Sequence, residues 1–220
     1  MKLAIFDFDG TLLTKDTLPC LGKEWLRQNR SRGKYYIVLL SWIPLVICYK
    51  SGLINREKFK NLAFDKFNSL YQGMSSVEIR SFFQKAYPNL KKIFNRTVIQ
   101  EIERARQQGY YCVLLSGSYA ELLRIVARDL GMDKVIGAEL AFRDGIFDHS
   151  EKVPFINGQK KVALLQKAFA GKSINWHSSK CFADSVADIE LMQLVGQPVA
   201  VNPDAGLLSH ARDNKWTIAV

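Results

Sequence analysis

The chain has 220 residues, 48% hydrophobic and 24% charged, and its 31 Lys+Arg against 21 Asp+Glu give a formal net charge of +10. These values exclude a disordered chain and a conventional membrane bundle, and allow one large domain, or one with a substantial insert, that buries a core without staples. The charge favours anionic partners, whether phosphorylated metabolites, acidic lipid surfaces or nucleic acid, without choosing among them.

Residues 2–8 read as a short buried strand, through Leu3, Ala4, Ile5, Phe6 and Phe8, broken by Gly10-Thr11. Residues 16–87 look helical. Residues 91–108 carry Ile93, Val98, Ile102 and Ala105 on one helical face, stopped by Gly109. A β-type run at 110–115 ends in Ser116-Gly117-Ser118, and a helix follows from about 119 to 130, closed by Gly131. Strand 134–140 precedes a hairpin signal at 142–147, with Asp144-Gly145 at its centre. Helix 159–170, strand 180–183, helix 186–195, strand 198–201, helix 205–214 and strand 216–219 complete the order. Outside 16–87 this is β followed by repeated αβ, the signature of an α/β fold, a doubly wound, mostly parallel sheet. The helical stretch is too long for a crossover and reads as an insert. The domains are therefore a core of 1–14 and 88–220, with a helical cap at 15–87.

Cys20, Cys48, Cys112 and Cys181 form no CxxC pair and no Cys/His cluster of zinc spacing. They read as reduced thiols, and no export signal is visible at the start, so the expected location is the cytoplasm. His149, His177 and His210 are scattered and read as structural or surface residues.

Ligands of such sheets bind beyond the carboxyl ends of the strands. Asp7 and Asp9 follow the first strand, Ser116-Gly117-Ser118 the second, and Asp184-Ser185, with Asp188 a turn later, the strand at 180–183. Four carboxylates at one edge repel each other, and a divalent cation removes that cost. Oxygen-only ligands without His or Cys point to Mg²⁺. Ser116 with the backbone N–H groups of 117 and 118 makes an anion cradle at a helix start, completed by Lys160 or Lys161.

FDFDGT at 6–11, LLSGS at 114–118, GQKK at 158–161 and FADSVADIELM at 182–192 together resemble the haloacid dehalogenase superfamily, more closely its phosphoserine-phosphatase-like subfamily IB. VAVNPD at 199–204 and NKWTI at 214–218 are similar to that subfamily's tail. The resemblance implies a Rossmann-like core with an inserted cap. It also implies a Mg²⁺-dependent phosphomonoester hydrolase with an aspartyl-phosphate intermediate. Asp7 is then the nucleophile and Asp9 the general acid, then base, with its backbone carbonyl on the metal. Ser116, Gly117 and a lysine hold the phosphoryl oxygens, and the family's G-x-x-K spacing favours Lys161 over Lys160, with Lys152 a distant third. Asp7, Asp9 and Asp184 are the implied metal set. Asp188 serves as outer ligand or orients the lysine, and Thr11 is a supporting hydroxyl. Ala183 stands where the family usually has Gly, which is tolerable if its φ is negative. The alternatives are a phosphotransferase or mutase with the same intermediate, or a non-catalytic phosphate-binding protein on the same fold.

Phosphoserine recognition in that subfamily uses an acidic cap residue and an Arg. Asp16 stands near the first position, but no Arg falls at the expected spacing, and Arg56 or Lys60 is the substitute. A small metabolite phosphate, phosphoserine included, or a lipid phosphate remains in play. Residues 35–49, YYIVLLSWIPLVICY, are uncharged and flanked by Arg30, Arg32, Lys34 and Lys50. Pro44 is expected to kink or end a helix there. The plain reading is a cap helix pair buried against the core or in a homodimer. The sharper one is peripheral contact with a membrane surface. The basic residues are dispersed, so no nucleic-acid partner is expected.

Overall fold

The structure, a computed structural model, describes residues 1–219. Strand β1 (Leu3–Phe6) leads into α1 (Thr17–Arg27), α2 (Arg32–Lys50), α3 (Arg56–Asn68) and α4 (Ser76–Lys91). Then come α5 (Arg96–Gln107), β2 (Tyr111–Tyr119), α6 (Ala120–Leu130), β3 (Lys134–Ala138) and the short strands β4 (Phe142–Arg143) and β5 (Ile146–Phe147). The chain ends with α7 (Gly158–Ala168), β6 (Lys180–Ala183), α8 (Ile189–Met192), β7 (Gln197–Val201), α9 (Ala205–Asp213) and β8 (Thr217–Ala219).

The main sheet has the order β3-β2-β1-β6-β7-β8, every pair parallel. The order reverses at β1, whose neighbours are β2 and β6, so a crevice opens beyond the carboxyl end of β1. All four residues of β1 are buried, as a central parallel strand covered on both faces requires. Leu3 and Ile5 join a cluster with Leu165, Phe169 and Leu191 on one face, while Ala4 and Phe6 point into the larger cluster on the other.

Local signals explain the element boundaries. Asn95 caps α5 by accepting from the N–H of Thr97 at 3.0 Å, Val98, Ile102 and Ala105 turn inward, and Gly109 (φ +72°) ends the run. Ser75 and Glu78 form a capping box at the start of α4. Asp144 (φ +50°) and Gly145 (φ +76°) make the turn between β4 and β5.

The helix expected from about 119 to 130 is α6, which begins at Ala120 directly after β2, and β2 runs on to Tyr119 with a register irregularity after Leu115. Three local expectations are corrected. The helix expected over 186–195 is a 3₁₀ turn at Val186–Asp188 followed by the short α8. Next, α2 continues through Pro44. The ring faces outward on an exposed side, where the carbonyl that loses its intrahelical partner meets solvent. Within one chain α2 is also not buried against the core, for Val38 is its one buried residue.

The helices between β1 and α5 have no core of their own. Leu21, Trp25, Phe64, Phe67, Phe82 and Phe83 belong to the same cluster as Phe6, Leu114 and Tyr119 of the sheet. Tyr71 is its hub, with Trp25, Phe67, Phe82, Phe83, Tyr119 and Phe147 all within 6.2 Å between ring centroids. Each fully buried aromatic side chain contributes about 1.5–3 kcal/mol by burial alone, so this shared cluster ties the helical layer firmly to the sheet.

Candidate active site at the carboxyl end of the sheet

Strand pairing runs one residue beyond β1, since the N–H of Asp7 donates to the carbonyl of Phe182 at 3.0 Å. Stacked Phe6 and Phe182 rings, 4.6 Å apart, support that edge. Gly10 (φ +82°) then turns the chain, and its N–H donates to the Leu13 carbonyl at 2.8 Å. A side chain at Gly10 would collide with the Asp184 carboxylate, so glycine is demanded by conformation and by space.

Asp7, Asp184 and Asp188 bring one carboxylate oxygen each within 4.8 Å of one another. Lys161, projecting from the first turn of α7, lies between two of them. Its Nζ is 2.7 Å from Asp7 Oδ1 and 2.8 and 3.0 Å from the two oxygens of Asp188. All three side chains are at most 6% exposed. Lys160, in contrast, is exposed, and its Nζ points to the Phe155 carbonyl at 3.4 Å. Thr11 Oγ1 donates to Asp184 Oδ1 at 3.3 Å. Ala183, at the end of β6, avoids the positive-φ region, so its methyl group is accommodated.

The converging acidic group is three carboxylates rather than four, because Asp9, although it lines the same cleft, gives one carboxylate oxygen to the start of α1. Its Oδ1 accepts from the N–H of Thr17 at 2.7 Å and from the Thr17 hydroxyl. Ser118 Oγ donates in turn to Thr17 Oγ1 at 3.3 Å. Ser116 is buried beside the cleft, and its Oγ already accepts from the N–H of Ser118 at 3.2 Å. Gly117 lies against the chain at 155–156, where an added Cβ would come within 2.6 Å of the Ile156 carbonyl.

Burial sets the electrostatics. It raises the Asp7 carboxyl above its ordinary value, against the Lys161 charge, which lowers it. Burial pushes Asp9 up to about 7, with the Thr17 hydrogen bond opposing. Asp184 is likewise pushed up to about 7, by burial and then by the charges of Asp7 and Asp188. Desolvation disfavours the Lys161 charge, but the Asp188 and Asp7 carboxylates outweigh it and hold the amine protonated.

This donor set fits a hard divalent cation. The three carboxylates converge, they supply only oxygen, and Asp188 Oδ1 is buried without a well-directed hydrogen bond. A metal there would satisfy that atom and offset the mutual repulsion.

The cleft above these groups has a volume of about 790 Å³. Asp7, Asp9, Ser116 and Lys161 lie at its base, and Arg56 and Lys60 of α3 line it from the helical side. Arg56 bridges to Asp204 at 2.8 Å and to Ser185 Oγ at 3.2 Å. Asp16 is not among the lining residues: its side chain is 63% exposed and pairs with Lys60 at 3.4 Å. A second groove, of about 680 Å³, lies along β7, β8 and α5 and contains none of these aspartates.

Two contributors escape a reading of the sequence. Thr17 looks like an ordinary helix-start residue, and only the return of α1 over Asp9 reveals its contact. Asp204 carries a detectable signal, an Asp immediately before a helix. It caps α9 by accepting from Leu207 N–H at 2.9 Å and also accepts from Val186 N–H at 3.1 Å. Its own N–H donates to the Asp184 carbonyl at 2.8 Å, so it fixes the loop that presents Asp184.

Comparison with known proteins agrees with this geometry. Residues 4–193 match the family model of haloacid dehalogenase-like hydrolases. The chain is 25% identical, over 98% of its length and 69% of the relative's, to phosphoserine phosphatase SerB1 of Mycobacterium tuberculosis. Its fold is similar to that of a protein of unknown function from Bordetella pertussis Tohama I (TM-score 0.83, 21% identity, 100% and 98% of the two chains). It is also similar to a phosphoserine phosphatase solved as a phospho-aspartyl intermediate analogue (TM-score 0.63, 20% identity, 100% and 92% coverage). A topological switch point loaded with aspartates and one buried lysine is thus accompanied by a family match across most of the sequence, and the chain belongs to the haloacid dehalogenase-like hydrolases.

Proposed function

We propose that the protein is a magnesium-dependent phosphomonoester hydrolase that works through an aspartyl phosphate on Asp7. The observation that carries this reading is the Asp7 carboxylate held at the base of the cleft by Lys161, with a second carboxylate, Asp9, facing the same space. Asp7 attacks phosphorus, and the ester oxygen departs with the proton of Asp9. Asp9 then takes a proton from water, whose oxygen attacks the same phosphorus and releases phosphate and the free Asp7 carboxylate. Lys161 neutralises charge on the transferring group, and Ser116 with the backbone at Gly117 orients its oxygens. Asp7, Asp184 and the Asp9 backbone carbonyl, with Asp188 behind them, would hold Mg²⁺, which would supply the remaining charge neutralisation. Thr11 and Asp204 position Asp184. The name of the M. tuberculosis relative supports phosphoserine as one substrate to test, with Arg56 and Lys60 as the cationic groups available to a substrate carboxylate.

The test is Asp7→Asn. Mg²⁺-dependent turnover of a chromogenic aryl phosphate is expected to vanish while the protein stays folded, because Asp188 still neutralises the Lys161 charge. Substantial remaining Mg²⁺-dependent turnover refutes the proposal.

A further inference from the structure

The surface of α2 has the wrong polarity for a helix facing water. Ile37, Leu40 and Ile47 are 68%, 62% and 61% exposed, and Tyr36, Leu39 and Ile43 join them on the outside. A water-facing side is ordinarily charged or polar. Between residues 37 and 48 the one hydroxyl is Ser41, and it donates back to the Val38 carbonyl at 2.7 Å. The inner stripe is already occupied, for Trp42 packs on Phe67 and Val38 is buried. A contiguous exposed apolar face of this kind marks an interaction surface.

We infer that α2 docks in the interface of an anionic lipid bilayer, bringing the adjoining cleft to phosphomonoesters carried at that surface. The substrate half of this inference rests on the function proposed above, and the docking half does not. Charge selects the occupant. From residue 25 to residue 56 there is no Asp or Glu, while Arg32 and Lys34 stand at one end of α2 and Lys50 at the other. Two copies packing α2 against α2 in antiparallel fashion would set cations against cations at both ends. Anionic headgroups complement both ends at once. Tyr35, Tyr36 and Tyr49 lie at the same two levels, where aromatic rings favour the membrane–water boundary. Among the described residues no helix is long and apolar enough to cross a membrane, so α2 would lie in the plane of the surface. The loop after α2 exposes Leu53 (76%) and leads within a few residues to Asn55, Arg56 and Lys60, which line the cleft.

The experiment is flotation of the full chain with vesicles of phosphatidylcholine, with and without phosphatidylglycerol, together with two variants. Ile37→Glu/Leu40→Glu/Ile43→Glu changes the apolar face, and Arg32→Gln/Lys34→Gln/Lys50→Gln changes its flanks. All six positions are exposed, and melting temperature and aryl phosphate turnover should match the unmodified chain. The unmodified chain is expected to float with phosphatidylglycerol vesicles at low salt, the glutamate variant to stay behind, and the glutamine variant to bind on the order of 100-fold more weakly. Hydrolysis of phosphatidate in those vesicles, relative to aryl phosphate, should fall in the glutamate variant. No flotation at low salt overturns the docking, as does a dimer that the glutamate variant splits without any vesicle binding. An unchanged phosphatidate-to-aryl ratio in the glutamate variant overturns the substrate half. Flotation without any Asp7-dependent turnover sinks the proposed function and leaves the docking standing.

Discussion

Replacing Lys161 with Met removes the one cation between two buried carboxylates. A solvent-exposed pair contributes about 0–1 kcal/mol. Here Lys161, Asp7 and Asp188 are 5%, 6% and 4% exposed, so the buried regime applies, in which removing one partner costs about 3–5 kcal/mol. Urea unfolding followed by tryptophan fluorescence, with a chelator present, should show that loss near neutral pH. Asp7 already has a raised folded-state value, and it rises further without Lys161. A carboxyl raised in the folded state is a penalty at high pH. The penalty is relieved as pH falls through the raised value, because the folded state takes up the proton first. The gap between variant and unmodified protein should therefore narrow toward acid. Turnover should fall by about 10²–10³-fold. A gap below about 1 kcal/mol at neutral pH, or one that widens toward acid, would refute the account of Lys161.

Gly10→Ala should cost about 1–2 kcal/mol from positive φ and displace Asp184, seen as a higher Mg²⁺ requirement in turnover assays; an unchanged requirement counts against the packing described. Thr17→Val removes a hydrogen bond that lowers the Asp9 value, so the alkaline limb of the turnover–pH profile should move upward. The rate should drop by roughly tenfold, and Thr17→Ser should restore both. Far from the cleft, Lys91 and then Tyr87 hold the Asp129 carboxyl below its ordinary value by hydrogen bonds. That stability is present above the unfolded value and lost as pH falls through the folded one. Tyr87→Phe should cost about 1 kcal/mol at neutral pH and less in acid, measured by urea unfolding at several pH values.

The sheet was legible because its parallel strands are short apolar runs at fixed distances from Gly punctuation. Strand 180–183 and the turn at Asp144-Gly145 fall where the residues place them. The meeting of Asp7 and Asp184 was legible for a related reason, since strand ends in this topology converge, whereas the residues alone left Lys160 and Lys161 open and only the family resemblance favoured Lys161. What the chain order could not reveal depends on tertiary return. Asp9 and Thr17 are eight residues apart, yet only the shared aromatic core decides that α1 folds back to meet the carboxylate. The run at 186–195 is a second case. Its apolar residues suggest one continuous helix, but Ser185 and Asp204 tie down its first residues, and a 3₁₀ turn forms at Val186–Asp188. Pro44 is a third case, since a missing N–H matters less on a helix side already open to solvent.

Asp9 takes both of its hydrogen-bond donors from Thr17, on a helix that Leu21 and Trp25 hold in the common hydrophobic cluster. Proton management at the cleft is thereby mortgaged to distant packing. A void carved at Trp25 would let the first turn of α1 drift and blur the acid's aim well before the molecule unfolds. Loss of catalytic pH dependence would then be an early symptom of a loosening interior.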